Sequence, residues 1–522
     1  MKQRRESKLW RILWGYDWKL LSSIPDEAIE GPSDWKKLVS KTLKSTKWSR
    51  FFNTLFHSNS PSINYLTYSL KNSIYIKDSQ CTGSSSALVN PDHYPPKSST
   101  IHELLSKTKA IHLITSSLDE FGMGAAGVFG HKGRITQPLS PKRVIGGSSS
   151  GSAYLLSKKL IDFSIVTDTG GSARVPASYN SLYGFKPSFG LVSREGILPL
   201  CTLLDTPSIM AHSVETIAKV LSVISAPDPA DLTTIKTVKK SYYPLNIKNP
   251  LEALEKLPKN HKNIKKITFV AIKEASEAGN RPFNKREKKI RKEFQRLLGR
   301  LRFAPNTTVS VSTIDWPPIY LTELIYKIVA FSELVTHYLS LSGIVNPWIR
   351  GDYYEDNISK KKKQEEDSRL KLLKVSTYYS YDSEKIRAKM GSEVKRRHLL
   401  GFFFLYGDNR VNIYKKARKI ISLYKKRLSE LLSRGEIIIS PTTEDIAPLS
   451  KTYSPIYFKD SFQSLVLLAN FCGLPAISIP WLHYKSKLDS SKVFMGLHLI
   501  SNYREDKYLL SVVSFLEKSG II

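Results

Sequence analysis

Between Gly146 and Pro176 the chain reads GGSSSGSAYLLSKKLIDFSIVTDTGGSARVP, two serine-bearing glycine turns separated by one helical and one extended segment. Paired glycines reach backbone conformations that a Cβ would forbid, so Gly146-Gly147 and Gly170-Gly171 can each form a tight turn presenting the next serine. Those serines are Ser148 and Ser172. From Ser152 to Leu160 the residues have helical character, whereas Phe163 to Thr167 alternate and are β-branched as in a strand. Ser148 is therefore expected to open a helix, and Ser172 to follow a strand end. A flexible glycine-serine linker is the bland alternative. Such a linker would not continue into an apolar helix, a strand and a second glycine turn.

The turn Thr169-Gly170-Gly171-Ser172 can aim successive backbone N–H groups into one cavity, the arrangement that holds the oxyanion of a tetrahedral intermediate. A serine hydroxyl there is a candidate nucleophile, and it needs a base because an unassisted hydroxyl is weak near neutral pH. None of the 11 histidines lies in the glycine turns, so a serine-histidine-acid triad has no local support. The G-x-S-x-G elbow also fits poorly, because Gly171-Ser172-Ala173 has no second glycine. Lysine is the other option. Lys71, in Tyr68-Ser69-Leu70-Lys71-Asn72-Ser73-Ile74, ends an apolar-alternating stretch and could serve if burial kept it neutral. Taken alone, a lysine there is more often a solvated strand end. Asp168 and Arg174 flank the second turn and are read as structural supports acting through charge-assisted hydrogen bonds. His93, His112 and His131 have no metal-ligand spacing with cysteines, and no metal site is expected.

The glycine-serine stretch, the TDTGGSARVPA run and the upstream lysine resemble the amidase signature family, whose members use a serine, serine, lysine triad. The resemblance is closest to the A subunits of glutamyl-tRNA(Gln) amidotransferases. Leu118 to Gly124 is similar to their MDEFxMG segment, and Gly184 to Arg194 to their GLKPTYGRVSR segment. Gly391 to Arg397 with Tyr414 to Ala417, Ser440-Pro441-Thr442, and Asn470 to Pro480 also fit, so the likeness spans roughly residues 62 to 515. It implies an α/β fold with a mixed central β-sheet covered by α-helices on both faces. By position it makes Ser172 the nucleophile, Ser148 the bridging serine in a cis peptide and Lys71 the general base. The amides of Thr169, Gly170, Gly171 and Ser172 become the oxyanion hole, and Gly124 and Asp460 lie at the substrate.

In activity the resemblance implies glutamine hydrolysis, with ammonia passing to the amidotransferase B subunit, which uses ATP and Mg to convert glutamyl-tRNA(Gln) to glutaminyl-tRNA(Gln). A small third subunit is expected, tRNA is contacted mainly through the partner, and no cofactor is bound by this chain. A free-standing amidase for another amide and a catalytically silent scaffold are the competing readings. The departures bear on the substrate. Ser150 replaces a glycine of the signature, and Gln463 replaces the aspartate expected seven residues before Asn470. The arginine expected in the Ser332 to Gly343 stretch has no counterpart there, and Asp460 is expected to take over the aspartate's role.

Charge and length are consistent with a large enzyme working among polyanions. The 522 residues carry a formal charge of +33, which attracts nucleic acid but also arises from lysines dispersed over solvated helices. Cys81, Cys201 and Cys472 are odd in number and far apart, so no disulfide framework is implied and a reducing compartment is expected. No run approaches the roughly 20 apolar residues that span a bilayer. Residues 1–60 read as a basic extension and candidate targeting segment, consistent with a mitochondrial matrix protein. Residues 61–522 read as one signature domain with a charged insertion near 355–370. Within it, Ile267 to Ile272 reads as a strand, Arg286 to Leu301 and Val411 to Leu432 as amphipathic helices, and Ile437 to Ile439 as a strand.

Overall fold

The computed structural model describes residues 25–30, 63–89, 94–236, 242, 245, 252, 266–273, 285–302, 309–341, 387–451, 464–486 and 490–522. The charged insertion, Asp460, Gln463 and most of the basic extension lie outside the described residues.

The strands are short, apolar runs, several of them buried along their length, which is the pattern of a sheet covered on both faces. In chain order they are β1 (Ile29–Glu30), β2 (Thr67–Lys71), β3 (Ile111–Ser116), β4 (Thr136–Gln137) and β5 (Ser140–Val144). There follow β6 (Phe163–Asp168), β7 (Tyr183–Lys186), β8 (Thr206–Ala211), β9 (Ile267–Ile272) and β10 (Val309–Ile314). The last are β11 (Glu436–Pro441), β12 (Ala476–Lys485) and β13 (Lys492–Ile500). Among the described residues β4 and β5 form a separate ribbon, and the other eleven form one sheet in the order β1-β3-β2-β6-β8-β7-β12-β13-β11-β9-β10. β2 runs parallel to β3 and β6, and β9 parallel to β10 and β11, while the centre from β6 to β13 is antiparallel. The sheet is mixed, as expected.

Alternation along the strands divides the core. Ile437 and Ile439 pack with Phe269, Ala271 and the helices Val214–Ile224, Lys285–Arg302 and Asp506–Lys518. Ile438, between them, packs on the other face with Ile272 and the helices Ile319–Leu341, Lys416–Leu431 and Ser464–Cys472. Near the glycine turns Ile165 and Ile209 join the first core, whereas Val166 and Met210 join a third beneath the helix Ser150–Ser157. Successive residues of a strand point to opposite faces, so each strand contributes to both layers.

Two boundaries differ from the periodicity. The helix expected over Ser152 to Leu160 spans Ser150–Ser157, because Lys159 turns to φ +57° and stops it. The stretch expected as one amphipathic helix from Val411 is π-helical over Arg410–Lys415 and α-helical over Lys416–Leu431. Residues from the basic extension also enter the sheet: Ile29 and Glu30 pair antiparallel with Ser116 and Thr115.

Candidate active site

The two glycine turns and the end of β2 meet on one side of the sheet. Lys71 is the last residue of β2, and its side chain is fully buried. Its Nζ lies 2.8 Å from Ser148 Oγ and donates to Thr167 Oγ1 at 2.9 Å. Burial pulls its pKa down to about 7, against the carboxylates of Asp119, Asp168 and Asp205, which favour the charged form. An amine so poised is substantially neutral near pH 7 and can accept a proton.

Ser148 follows a cis Gly147–Ser148 peptide and immediately precedes the helix Ser150–Ser157. Asp119 fixes this loop. Its backbone N–H donates to Ser148 O at 3.1 Å, and its carboxylate accepts from the amides of Gly127, Val128 and Phe129. Burial pushes the Asp119 carboxyl upward in pKa, and those three amides oppose it. A Cβ at Gly124 or Gly147 would overlap this carboxylate, so glycine at both positions follows from close approach. The neighbouring Glu120 works in the other direction, accepting from Ser85 Oγ at 2.5 Å and from the Gly391 amide at 2.9 Å. Gly391 caps the helix Ser392–Leu405, so the carboxylate sits where a helix N-terminus favours negative charge.

Ser172 lies four residues beyond the end of β6 in a turn where Gly171 has φ +105°. The turn is built on a buried ion pair. Asp168 accepts from the Gly171 amide at 2.8 Å, the Ala173 amide at 3.2 Å and two nitrogens of Arg174 at 2.8 and 3.0 Å. Burial alone would raise the Asp168 carboxyl, but the Arg174 guanidinium outweighs it and holds the group well below the usual carboxylate range. Arg174 also donates to Val466 O and Asn470 Oδ1, and meets His498 Nε2 at 2.9 Å. The supporting pair is therefore in contact on every side. One consequence concerns the oxyanion hole: the Gly171 amide is turned toward Asp168. The Thr169, Gly170 and Ser172 amides have no partner among the described residues.

Ser172 opens on a cavity lined by Gly124, Gly170, Tyr326 and Arg397, with Phe331 and Leu467 as apolar wall and a Glu323–Lys327 ion pair. The Tyr326 ring lies against the nucleophile turn, 2.8 Å from where a Cβ on Gly170 would stand. Arg397 comes from the helix Ser392–Leu405, its Nε donating to Glu393 Oε1 at 2.7 Å and its guanidinium 5.0 Å above the Phe331 ring. Sequence reasoning looked for an arginine between Ser332 and Gly343 and missed this one. The available signal was Glu393 placed three and four residues before Arg396 and Arg397, which marks an arginine held rigid on a helix. Among the described residues no cluster of three or more His, Cys, Asp or Glu side chains could hold a metal. None of their helices is long and apolar enough to cross a membrane.

A family model described as Amidase matches residues 60–510, which takes in all of these groups. The chain belongs to the amidase family. This amidase is an enzyme of the signature class, homologous to the A subunit of glutamyl-tRNA(Gln) amidotransferase. It is 30% identical to that subunit from Mycoplasma genitalium, over 87% of this chain and 86% of that protein. It is 28% identical to the mitochondrial A subunit of Anopheles gambiae, over 88% and 86%. Among solved structures, the A subunit from Thermotoga maritima matches the amidase with a TM-score of 0.62 at 22% identity, covering 87% of this chain and 83% of that one, which shows the fold.

Proposed function

We propose that this amidase hydrolyses the side-chain amide of glutamine and supplies the ammonia to a glutamyl-tRNA(Gln) amidotransferase. The observation that carries the proposal is the 2.8 Å approach of a buried, pKa-depressed Lys71 to Ser148 beside the Ser172 turn. Neutral Lys71 takes the Ser148 proton while Ser148 takes that of Ser172, and Ser172 Oγ attacks the amide carbon. The developing oxyanion is met by the open amides of Thr169, Gly170 and Ser172. Collapse breaks the carbon–nitrogen bond, the relay returns its proton to the leaving nitrogen, and ammonia departs from a glutamyl ester on Ser172. Water, deprotonated by the same relay, then releases glutamate and restores the serine. Arg397 is the cation in the cavity wall suited to the substrate's α-carboxylate.

The names of the relatives support the rest of the reading. The ammonia is used by the amidotransferase B subunit, which activates glutamyl-tRNA(Gln) with ATP and Mg, joined by a small third subunit, and tRNA is held mainly by that partner. No nucleotide is assigned to this chain. The mosquito relative and the net charge of +33 favour the mitochondrial matrix and its translation. Ser172→Ala introduced in place of the natural gene tests chemistry and pathway together. Organellar glutaminyl-tRNA and ammonia release from glutamine should both collapse; undiminished charging would remove the amidotransferase role.

A further inference from the structure

The cavity at Ser172 carries both signs of charge, and its carboxylate is Glu323. Glu323, Tyr326 and Lys327 stand at i, i+3 and i+4 on one face of the helix Ile319–Leu341, and all three line the cavity. Tyr326 touches the nucleophile turn at Gly170, so this face of the helix borders the reacting groups. Glu323 precedes Tyr326 by three residues, about 4.5 Å along the axis at 1.5 Å per residue. That offset is comparable to the two methylene groups separating the amide of glutamine from its ammonium-bearing carbon. The Glu323 side chain is 12% exposed and that of Lys327 31%, with Oε1 and Nζ 2.6 Å apart. A carboxylate has about four lone-pair sites, so one lysine contact leaves it acceptor capacity for a second cation.

A hydrocarbon amide would leave a nearly enclosed carboxylate and the Arg397 guanidinium in its pocket without return for their desolvation. A molecule bearing an ammonium and a carboxylate on one carbon, with the amide at its other end, satisfies both charges and Ser172 together. We infer that Glu323 recognises the α-ammonium of the substrate, making the enzyme selective for α-amino acid amides. The inference rests on the glutaminase reading above and names the group behind its specificity. Lys327 is the resident counter-ion: it pairs Glu323 in the empty site and, being the more exposed partner, yields to the substrate ammonium by swinging its long stem toward water.

The test uses the full chain with the subunits that accompany it, and compares kcat/KM for glutamine with that for glutaramic acid, the same amide without the amine. Glu323→Gln should lower the glutamine-to-glutaramate ratio by about tenfold to a hundredfold, the effect of one lost charge-assisted hydrogen bond, chiefly through KM. Glu323→Asp should restore most of it. Lys327→Met, which removes the competing cation and leaves the carboxylate in place, should raise the ratio. Ratios unchanged in both Glu323→Gln and Lys327→Met would overturn the assignment. Failure of the unsubstituted enzyme to release ammonia from glutamine is a separate result: it removes the glutaminase reading and the Glu323 assignment with it.

Discussion

Lys71 Nζ and Ser148 Oγ stand 2.8 Å apart although 77 residues separate them in the chain. Both side chains are buried, and Thr167 Oγ1 holds the amine from a second side at 2.9 Å. If the proton leaves Ser172 through Ser148, Ser148→Ala should lower kcat by about 10²–10⁴-fold, the usual contribution of a positioned acid–base group, with little change in KM. Ammonia release under single-turnover conditions measures it. A full rate in that variant would mean that Lys71 acts without the bridge.

The pH dependence follows from the same amine. Lys71 must be neutral to act, and burial places its pKa at about 7. The logarithm of kcat/KM should therefore climb with pH by about one unit per pH unit below about 7 and flatten above it. A profile level from pH 5 to about 8 would exclude a lysine base with this pKa.

Stability should carry the same signature. Lys186 is also fully buried; its Nζ donates to Pro187 O at 3.1 Å, and burial followed by Arg174 pulls its pKa to about 7. An unfolded lysine titrates near about 10.4, so between about pH 7 and 10 the unfolded chain binds more protons and stability rises with pH. Each such lysine contributes a slope of up to about 1.4 kcal/mol per pH unit. Urea unfolding of Lys186→Met at pH 7 and pH 9 should show a smaller rise than the unsubstituted chain.

The Asp168–Arg174 pair supports the nucleophile turn from beneath. Arg174→Met leaves Asp168 charged, enclosed and without its guanidinium, a loss of about 3–5 kcal/mol. The urea midpoint should fall with an unchanged slope. Asp168→Asn and Arg174→Met together should cost less than the two single changes added, because the second removes a partner already lost.

Two glycines separate packing from propensity. A Cβ at Gly147 would overlap Asp119 Oδ2 beside the bridging serine, and Gly147→Ala should abolish activity and lower the yield of folded protein. At Gly299, within the helix Lys285–Arg302, a Cβ meets nothing within 4 Å. Gly299→Ala should raise stability by about 0.5–1 kcal/mol, read as an upward shift of the melting temperature.

Much of this architecture was readable along the chain because its cues are local. Phe163 to Thr167 and Ile267 to Ile272 announce strands by β-branching, and both are strands. Arg286 to Leu301 repeats at the helical period, and the helix is Lys285–Arg302. The paired glycines located the turns that hold Ser148 and Ser172. What escaped was tertiary. No periodicity distinguishes the π-helical Arg410–Lys415 from an α-helix, since both bury one stripe. Arg397 and Glu323 reach the cavity from helices remote in the chain, and nothing within either helix says which side chain will meet Ser172. The Gly171 amide could not be excluded from the oxyanion hole until Asp168 was seen to bind it.

Asp119 and Glu120 are consecutive, yet one anchors the loop of Ser148 and the other anchors Gly391 at the head of the helix that carries Arg397. Chemistry and recognition therefore share a single datum within one dipeptide. Redesign of the pocket by sliding that helix would drag the serine relay off its alignment. New specificities in this scaffold are more readily reached by exchanging side chains along the helix faces than by moving the helices.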